Sequence, residues 1–342
     1  MRELKIYDVS AMVNTGGSHK EDFFGYPVGG IHYVLNRIAV DLVDRNCLVL
    51  CFDSPSFRKG LYTQYKSGRE RRPGIYSQIE TLYEGLQQCG IRCEKYDGFE
   101  ADDVVEWAVV QNYEEYVRGT IIYSNDVDLC HSIRNGVCLY ATNPAMNDIN
   151  QTNFSTEIKR GEIVPYNTVS AYKVFCGCSS DKIPSFKMEC GLGGRKLFDA
   201  WCAIMQKIGP LSERRIGANP SAIKAFVNGL AGVTENDKLE LEKRIQLVFP
   251  AEAPEGTRIE PVVYSDVDVD KLRLFMGLYG SKAAMKCMGM RSYSLTDEDK
   301  ALLREKAKSL MSGAYAADKN LMYDTKNVRS QVIDLDAFTR GY

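Results

Sequence analysis

Apolar residues along this chain fall into short runs separated by longer amphipathic stretches. Strand-like runs occur at Leu4 to Val9, Cys47 to Phe52, Ile91 to Tyr96 and Ile121 to Tyr123. Between them the apolar positions recur at helical spacing, over Gly30 to Val43, Tyr76 to Gln88 and Ala101 to Tyr113; the last carries Ala101, Val104, Val105 and Ala108 on one face. Strand alternating with helix predicts an α/β fold whose mainly parallel sheet is covered by helices. Further along the pattern is helical: Lys196 to Gln206, Ala222 to Leu247 and Val267 to Met290, with the Pro-rich stretch Phe249 to Gly256 as a surface linker. Thr296 and Asp299 suit the cap of a final helix bearing Leu302, Leu303, Ala307, Leu310 and Met311 on one side.

Composition narrows the class. A chain of 342 residues, 44% hydrophobic and 26% charged, can bury two cores and is neither disordered nor fibrous. No run approaches the roughly 18 apolar residues of a membrane helix, and the first residues lack a signal-peptide core, so a cytosolic protein is expected. The 11 cysteines are scattered through apolar segments such as Cys47 to Cys51, which suits reduced, buried thiols; no pair has zinc-finger spacing. A formal charge of −2 gives no global basic field, so a nucleic-acid partner would have to be held by local patches.

The chemistry lies in how the strands end. Asp8 falls near the end of the first, Asp53 closes the second, Glu100 follows the third, and Asp126 and Asp128 follow the fourth. Parallel sheets place ligand sites at those carboxyl ends. Taken singly, each acid could be a helix cap, and Asp102 and Asp103 suit the first turn of the helix that follows. Glu100, Asp102 and Asp103 together place three acids within four residues, more than one cap needs. Clustered carboxylates stay ionised only when cations compensate them. A hard divalent ion, Mg²⁺ or Mn²⁺, prefers oxygen ligands; His19, His32 and His131 lie at none of these strand ends, which argues against zinc or iron.

Directly after Asp53 comes the most basic segment of the chain, Ser54 to Pro73, with Arg58, Lys59, Lys66, Arg69, Arg71 and Arg72 against one acid. A solvated loop is the bland reading of such a run. Leaving the sheet at the acidic edge, it would instead hold a phosphodiester over the metals, with Tyr62 and Tyr65 as a stacking face.

Four motifs, Phe99 to Asp103, Ser124 to Leu129, Tyr65 to Arg69 and Phe175 to Pro184, resemble the 5′ nuclease superfamily over about residues 4 to 290. That superfamily includes the 5′ nuclease domain of bacterial DNA polymerase I, flap endonucleases and free-standing phage exonuclease and RNase H enzymes. The resemblance implies a PIN-like parallel sheet flanked by helices, then a helical DNA-binding region with a helix–two-turn–helix motif. It divides the chain into a catalytic domain at 1–174 with a basic arch at 54–75, a helical region at 175–292 and an extension at 293–342. By motif position Asp8, Asp53, Glu100 and Asp102 match ligands of a first Mg²⁺, and Asp126, Asp128 and Asp181 those of a second, with Asp103 able to serve either; Mn²⁺ should substitute. Lys66 and Arg69 match the catalytic basic pair of the arch. Arg58, Tyr65, Arg71, Arg72, Gly191 and Gly193 are the expected DNA contacts.

Two departures stand out. Cys178 occupies a position where bacterial and phage relatives usually have another Asp beside the second metal, which implies a weakened second site. The Gly-x-Gly turn fits Gly191 to Gly193 only after a three-residue insertion; the ungapped register would place Met188 to Cys190 there.

The expected activity is two-metal hydrolysis of DNA phosphodiesters by a monomeric, structure-selective 5′→3′ exonuclease or flap endonuclease in replication, repair or recombination, acting at the nucleoid of a bacterial or phage-infected cell. Its partner would be branched or 5′-ended duplex DNA, or an RNA–DNA hybrid if the enzyme removes primers as an RNase H. Rival readings are a single-strand ribonuclease of the broader PIN type and a catalytically weak protein that binds branched DNA. The stretch Ile333 to Phe338 faintly resembles a peptide that docks on a sliding clamp, the alternative being a packed tail.

Overall fold

A five-residue strand paired on both edges and covered by helices has no wet face, even where it carries Lys5 and Asp8. β1 (Leu4–Asp8) and β4 (Cys47–Cys51) are each buried along their whole length and pair in parallel, as expected where helices cover both sides. The computed structural model describes residues 2–17, 22–68, 73–116, 119–134, 136–141, 155–159, 162–165, 168–208, 219–291 and 294–311. In chain order, β1 runs into α1 (Val9–Gly16), a small hairpin β2 (Asp22–Phe23) and β3 (Tyr26–Pro27), α2 (Gly29–Val43), β4, the single turn α3 (Arg58–Leu61), α4 (Pro73–Gln88), β5 (Cys93–Glu94), α5 (Ala101–Asn112), β6 (Thr120–Tyr123), a 3₁₀ segment at Val127–Ser132 and β7 (Val137–Tyr140). A second hairpin, β8 (Ser155–Lys159) and β9 (Glu162–Pro165), leads to the helices α6 (Val169–Cys176), α7 (Gly194–Ile208), α8 (Pro220–Asn228), α9 (Glu235–Val248), α10 (Val269–Leu278), α11 (Lys282–Cys287) and α12 (Asp297–Met311).

The main sheet has the order β5-β4-β1-β6-β7, all parallel. From central β1 the chain builds outward first through β4 and β5, then on the other side through β6 and β7, so the strand order reverses at β1. That reversal opens a crevice at the carboxyl ends of β1, β4 and β6.

Alternate residues of each strand feed opposite cores. Leu4 and Ile6 of β1, with Cys47, Val49 and Cys51 of β4, pack under α5 together with buried residues of α6, α7, α8 and α9. Tyr7, Leu48 and Leu50 face the other way, onto α1, α2, α4 and the late helices α10 and α11, with Leu303 of α12. The helices after residue 175 therefore cover both faces of the sheet and do not form one separate lobe.

The sequence pattern located most elements and misjudged several. Ala222 to Leu247 is not one helix: Gly232 adopts φ +76°, and Thr234 restarts the chain with a reciprocal cap in which its Oγ1 accepts from the Asp237 N–H at 3.2 Å. Val267 to Met290 breaks likewise at Gly280, φ +71°. The apolar run Ile91 to Tyr96 contributes only the two-residue edge strand β5, and α1, β7 and α6 were not anticipated. The cap expected before α12 is present: the Asp299 N–H donates to Thr296 Oγ1 at 3.1 Å and the Thr296 N–H to Asp299 Oδ2 at 2.8 Å. The clamp-like stretch Ile333 to Phe338 lies outside the described residues. Among the described residues no helix is long and apolar enough to cross a membrane.

Candidate metal and phosphate site

Register fixes where the acids meet. Asp8 ends β1 opposite Cys51, and Tyr7 pairs with Tyr123, so Asp8 and Ser124 are neighbours across the strand ends. One Asp8 oxygen accepts from the Ala11 N–H at 3.0 Å, capping α1; the other accepts from Ser124 Oγ at 2.6 Å. The same hydroxyl accepts from the Asp126 N–H at 3.0 Å, and Asp126 Oδ1 accepts from the Asp128 N–H at 2.9 Å, which turns the loop after β6 back over the sheet edge. Asp53, two residues beyond β4, accepts from the Ala101 N–H at 2.9 Å and so ties the second strand to the start of α5.

The first turn of α5 divides its acids. Asp102 faces the crevice, where one carboxylate oxygen from each of Asp102, Asp126 and Asp128 lies within 4.8 Å of the others. Asp103 points the opposite way and is fully buried. Its two oxygens receive the Arg58 guanidinium at 2.7 and 2.8 Å and the N–H groups of Ala251 and Glu100 at 2.8 and 3.0 Å. With both oxygens occupied in this way, Asp103 does not face the crevice as the motif suggested.

Burial and like charge act together on Asp8, Asp102 and Asp126. Burial, then the neighbouring Asp53, pushes the Asp8 carboxyl up to about 7. Asp102 is raised well above the carboxylate range by burial and Asp126, with Lys66 opposing, and Asp126 is raised by burial and Asp128. A site of oxygen donors that resists holding its own charge is one that a hard divalent cation would relieve, so the donor set fits such an ion.

Two ammonium groups already lean on the cluster. Lys66 Nζ donates to Glu100 Oε1 at 2.7 Å, and Lys173 pairs with Asp128 and stands 3.9 Å from Asp181 Oδ2. Burial alone would lower both lysines, but the facing carboxylates outweigh it and both are raised. Lys66 is the arch residue that the motif assigned to the scissile phosphate, held in the left-handed region at φ +53° with its own N–H donating to the Asp181 carbonyl at 3.0 Å. Lys173 was missed. The signal was a lysine inside the otherwise apolar helix α6, where 7% exposure leaves it no route to solvent.

Other expected residues are placed differently. Arg58 and Tyr65, expected to touch DNA, are 3% and 4% exposed. Arg58 binds Asp103 and Glu100, and Tyr65 Oη donates to Glu100 Oε2 at 2.9 Å, so both are turned inward and have no face for a base or phosphate. Arg69, Arg71 and Arg72 lie outside the described residues. Asp181 is buried and accepts from Cys178 Sγ at 3.2 Å; the thiol also touches Ser180 Oγ at 3.0 Å and packs with Tyr65, Ile183 and Leu247. Cys178 therefore stands between an acid and an apolar pocket. Gly191, exposed at φ +87°, closes a hairpin in which the Met188 N–H donates to the Leu192 carbonyl at 3.0 Å, and Gly193 leads directly into α7. A Cβ on Gly194 would lie 1.9 Å from the Phe175 carbonyl oxygen, so only glycine lets α7 start against the end of α6.

Residues 13–159, which hold Asp53, Lys66, Glu100, Asp102, Asp126 and Asp128, match the family described as 5′-3′ exonuclease, N-terminal resolvase-like domain. Over these residues the chain is similar to the 5′ nuclease superfamily. It is similar to the 5′-3′ exonuclease of Mycoplasma pneumoniae, with 31% identity over 159 residues covering 44% of this chain and 52% of that one. The 5′-3′ exonuclease of Aquifex aeolicus is 28% identical over 171 residues, 48% of this chain and 56% of the relative. The chain thus spans about half the length of the curated relatives it matches first. DNA polymerase I of Streptococcus pneumoniae is 22% identical over 290 residues, 83% of this chain and 31% of the polymerase. Zinc-bound T5 5′-exonuclease aligns in structure over 90% of this chain and 99% of its own, with a TM-score of 0.48 and 13% identity.

Proposed function

We propose that this protein is a metal-dependent, structure-selective 5′ nuclease that hydrolyses DNA phosphodiesters at a 5′ end or branch. The observation that carries the reading is the convergence of Asp8, Asp102, Asp126 and Asp128 from separate strand ends on one crevice, with Lys66 at its rim. Two Mg²⁺ ions, for which Mn²⁺ should substitute, would when bound acidify a water and neutralise charge on the attacking and leaving oxygens.

The chain's own residues then have distinct tasks. Asp102, Asp126 and Asp128 present converging oxygens to a cation, with Asp8 and Asp53 beside them and Asp181 behind Lys173. Ser124 holds Asp8 and the loop of Asp126 in one arrangement, so the donors need no reorganisation. Lys66, on a segment anchored through its N–H to Asp181, can leave Glu100 for a phosphate oxygen and there offset developing negative charge, with Arg69 as its partner. The turn at Gly191, the exposed residue of its hairpin, would offer backbone to a phosphate further along the duplex, with half-buried Gly193 beside it. Contacts of this kind read backbone and shape, so branched or 5′-ended duplex is the expected partner, an RNA–DNA hybrid the second.

The test is cleavage of a 5′-labelled flap, a nicked duplex and an RNA–DNA hybrid side by side in Mg²⁺, Mn²⁺ and EDTA. Short products bearing a 5′ phosphate, formed only with metal, support the reading, and the fastest substrate identifies the class. Binding of branched DNA with no cleavage in either metal would refute it in favour of a branch-binding protein, a role that Cys178 beside Asp181 makes the natural competitor.

A further inference from the structure

Arg58 has no free donor. Its Nε donates to the Gln246 carbonyl at 3.2 Å, NH1 to Glu100 Oε2 at 3.2 Å and Asp103 Oδ2 at 2.8 Å, and NH2 to Asp103 Oδ1 at 2.7 Å and the Phe249 carbonyl at 2.9 Å. All five N–H bonds of a planar fork are thus used on two separate stretches of chain. Gln246 and Phe249 lie at the C-terminal end of α9, whose last carbonyls have no partner within the helix and favour a cation. Glu100 and Asp103 are the cap and first turn of α5, the helix that carries Asp102 into the crevice. Asp103 completes the junction by accepting from the Ala251 N–H at 2.8 Å, and Trp107 Nε1 donates to the Ala251 carbonyl at 2.7 Å.

We infer that Arg58 is a positioning residue that fixes the acid-bearing end of α5 against the end of α9, and through Glu100 sets the geometry of the metal site. Glu100 is gripped by three donors, and two of them, Tyr65 and Lys66, belong to the segment that must move when Lys66 turns to a phosphate. Arg58 is the grip that stays. It holds Glu100 Oε2 while the α9 carbonyls hold Arg58, so the seat of α9 and the seat of the acids share one side chain. Lysine cannot reproduce this, because a point ammonium with three donors spans neither the bidentate Asp103 nor the two carbonyls at once. Outer partners of metal ligands typically change metal affinity by about 10–100-fold when replaced.

The inference rests on the proposed metal site, and the experiment separates the two. Mn²⁺ binding is measured without DNA, by titration calorimetry and by the electron paramagnetic resonance signal of free Mn²⁺, on wild type, Asp128→Asn and Arg58→Lys, with Tm recorded for each. The expected result is that Asp128→Asn loses Mn²⁺ binding and that folded Arg58→Lys binds Mn²⁺ about tenfold or more weakly. The double variant Arg58→Met with Asp103→Leu removes the buried pair as a unit and serves where Arg58→Lys does not fold. It too should bind Mn²⁺ at least tenfold more weakly, because Glu100 has lost its fixed partner. Wild-type affinity in either folded Arg58 variant, whatever the change in Tm, would overturn the inference and leave the metal site standing. No Mn²⁺ binding by wild type, or binding unchanged in Asp128→Asn, would overturn the metal site and the inference with it.

Discussion

Asp8 offers a test of the site that needs no substrate. Its carboxyl is 4% exposed and, through burial and the neighbouring Asp53, is pushed from an ordinary value near 3.8 up to about 7 in the folded, metal-free protein. A carboxyl whose folded pKa is raised binds its proton more tightly when folded than when unfolded. Between about pH 4 and pH 7 the native state therefore holds more protons, and stability falls as pH rises through that window. A gap of about three units, at ~1.4 kcal/mol each, amounts to roughly 4 kcal/mol lost across the window in EDTA. Asp8→Asn keeps the cap on α1, since asparagine caps as well as aspartate, and removes the titration. Urea unfolding in EDTA at pH 5 and pH 8 should show wild type losing about 2–3 kcal/mol more than Asp8→Asn over that interval. Saturating Mg²⁺ should abolish most of the wild-type loss, because the ion replaces the proton as the neutralising charge. Equal pH slopes for the two proteins in EDTA would refute the claim that Asp8 is buried against like charge.

Four further substitutions probe the crevice. Asp128→Asn should abolish Mg²⁺-dependent cleavage while leaving duplex binding in EDTA within about threefold of wild type, since it removes one cluster oxygen and a charge that repels phosphate; undiminished turnover at saturating Mg²⁺ would take Asp128 out of the site. Lys66→Ala should slow single-turnover cleavage by about 10²-fold or more, on the scale of a lost transition-state contact, and Arg69→Ala should behave alike; an effect confined to duplex Kd would make them docking residues. Cys178→Asp sets a carboxylate against Asp181, where the thiol now donates at 3.2 Å. At an effective dielectric near 20 two such charges repel by about 4 kcal/mol, offset in part by Lys173. In EDTA its Tm should fall by several degrees, and with metal the Mg²⁺ concentration for half-maximal cleavage should drop below that of wild type. A lower Tm with an unchanged metal requirement would mean that Cys178 belongs to the apolar packing of Tyr65, Ile183 and Leu247.

The period of apolar residues was enough to read the parallel sheet, the positions of α2, α4, α5 and α7, and the acids at the strand ends. Those features are local: a strand buried on both faces is mainly apolar, and the residue at its end must sit at the sheet edge whatever else the chain does. The carboxylate of Asp8, at the end of the central strand, was legible for that reason. The two long late helices were overextended because apolar spacing alone does not register a left-handed glycine; Gly232 and Gly280 broke them.

What only the tertiary structure decided is the direction in which each side chain faces and what meets it. Asp102 and Asp103 are adjacent in sequence and chemically alike, yet about 100° of helical turn sends one to the crevice and the other to Arg58. Arg58 reads from sequence as one more cation in a basic run, but α9, nearly two hundred residues later, closes over it. Lys173 gave no motif, because its role depends on α6 bringing it to Asp128 across a separation of 45 residues. Chain spacing determined which acids could gather at the sheet edge, since neighbouring strands fix their own ends. The cations that meet those acids come from segments joined to them only by folding, so their partners were settled by packing and by the cost of burying a charge alone.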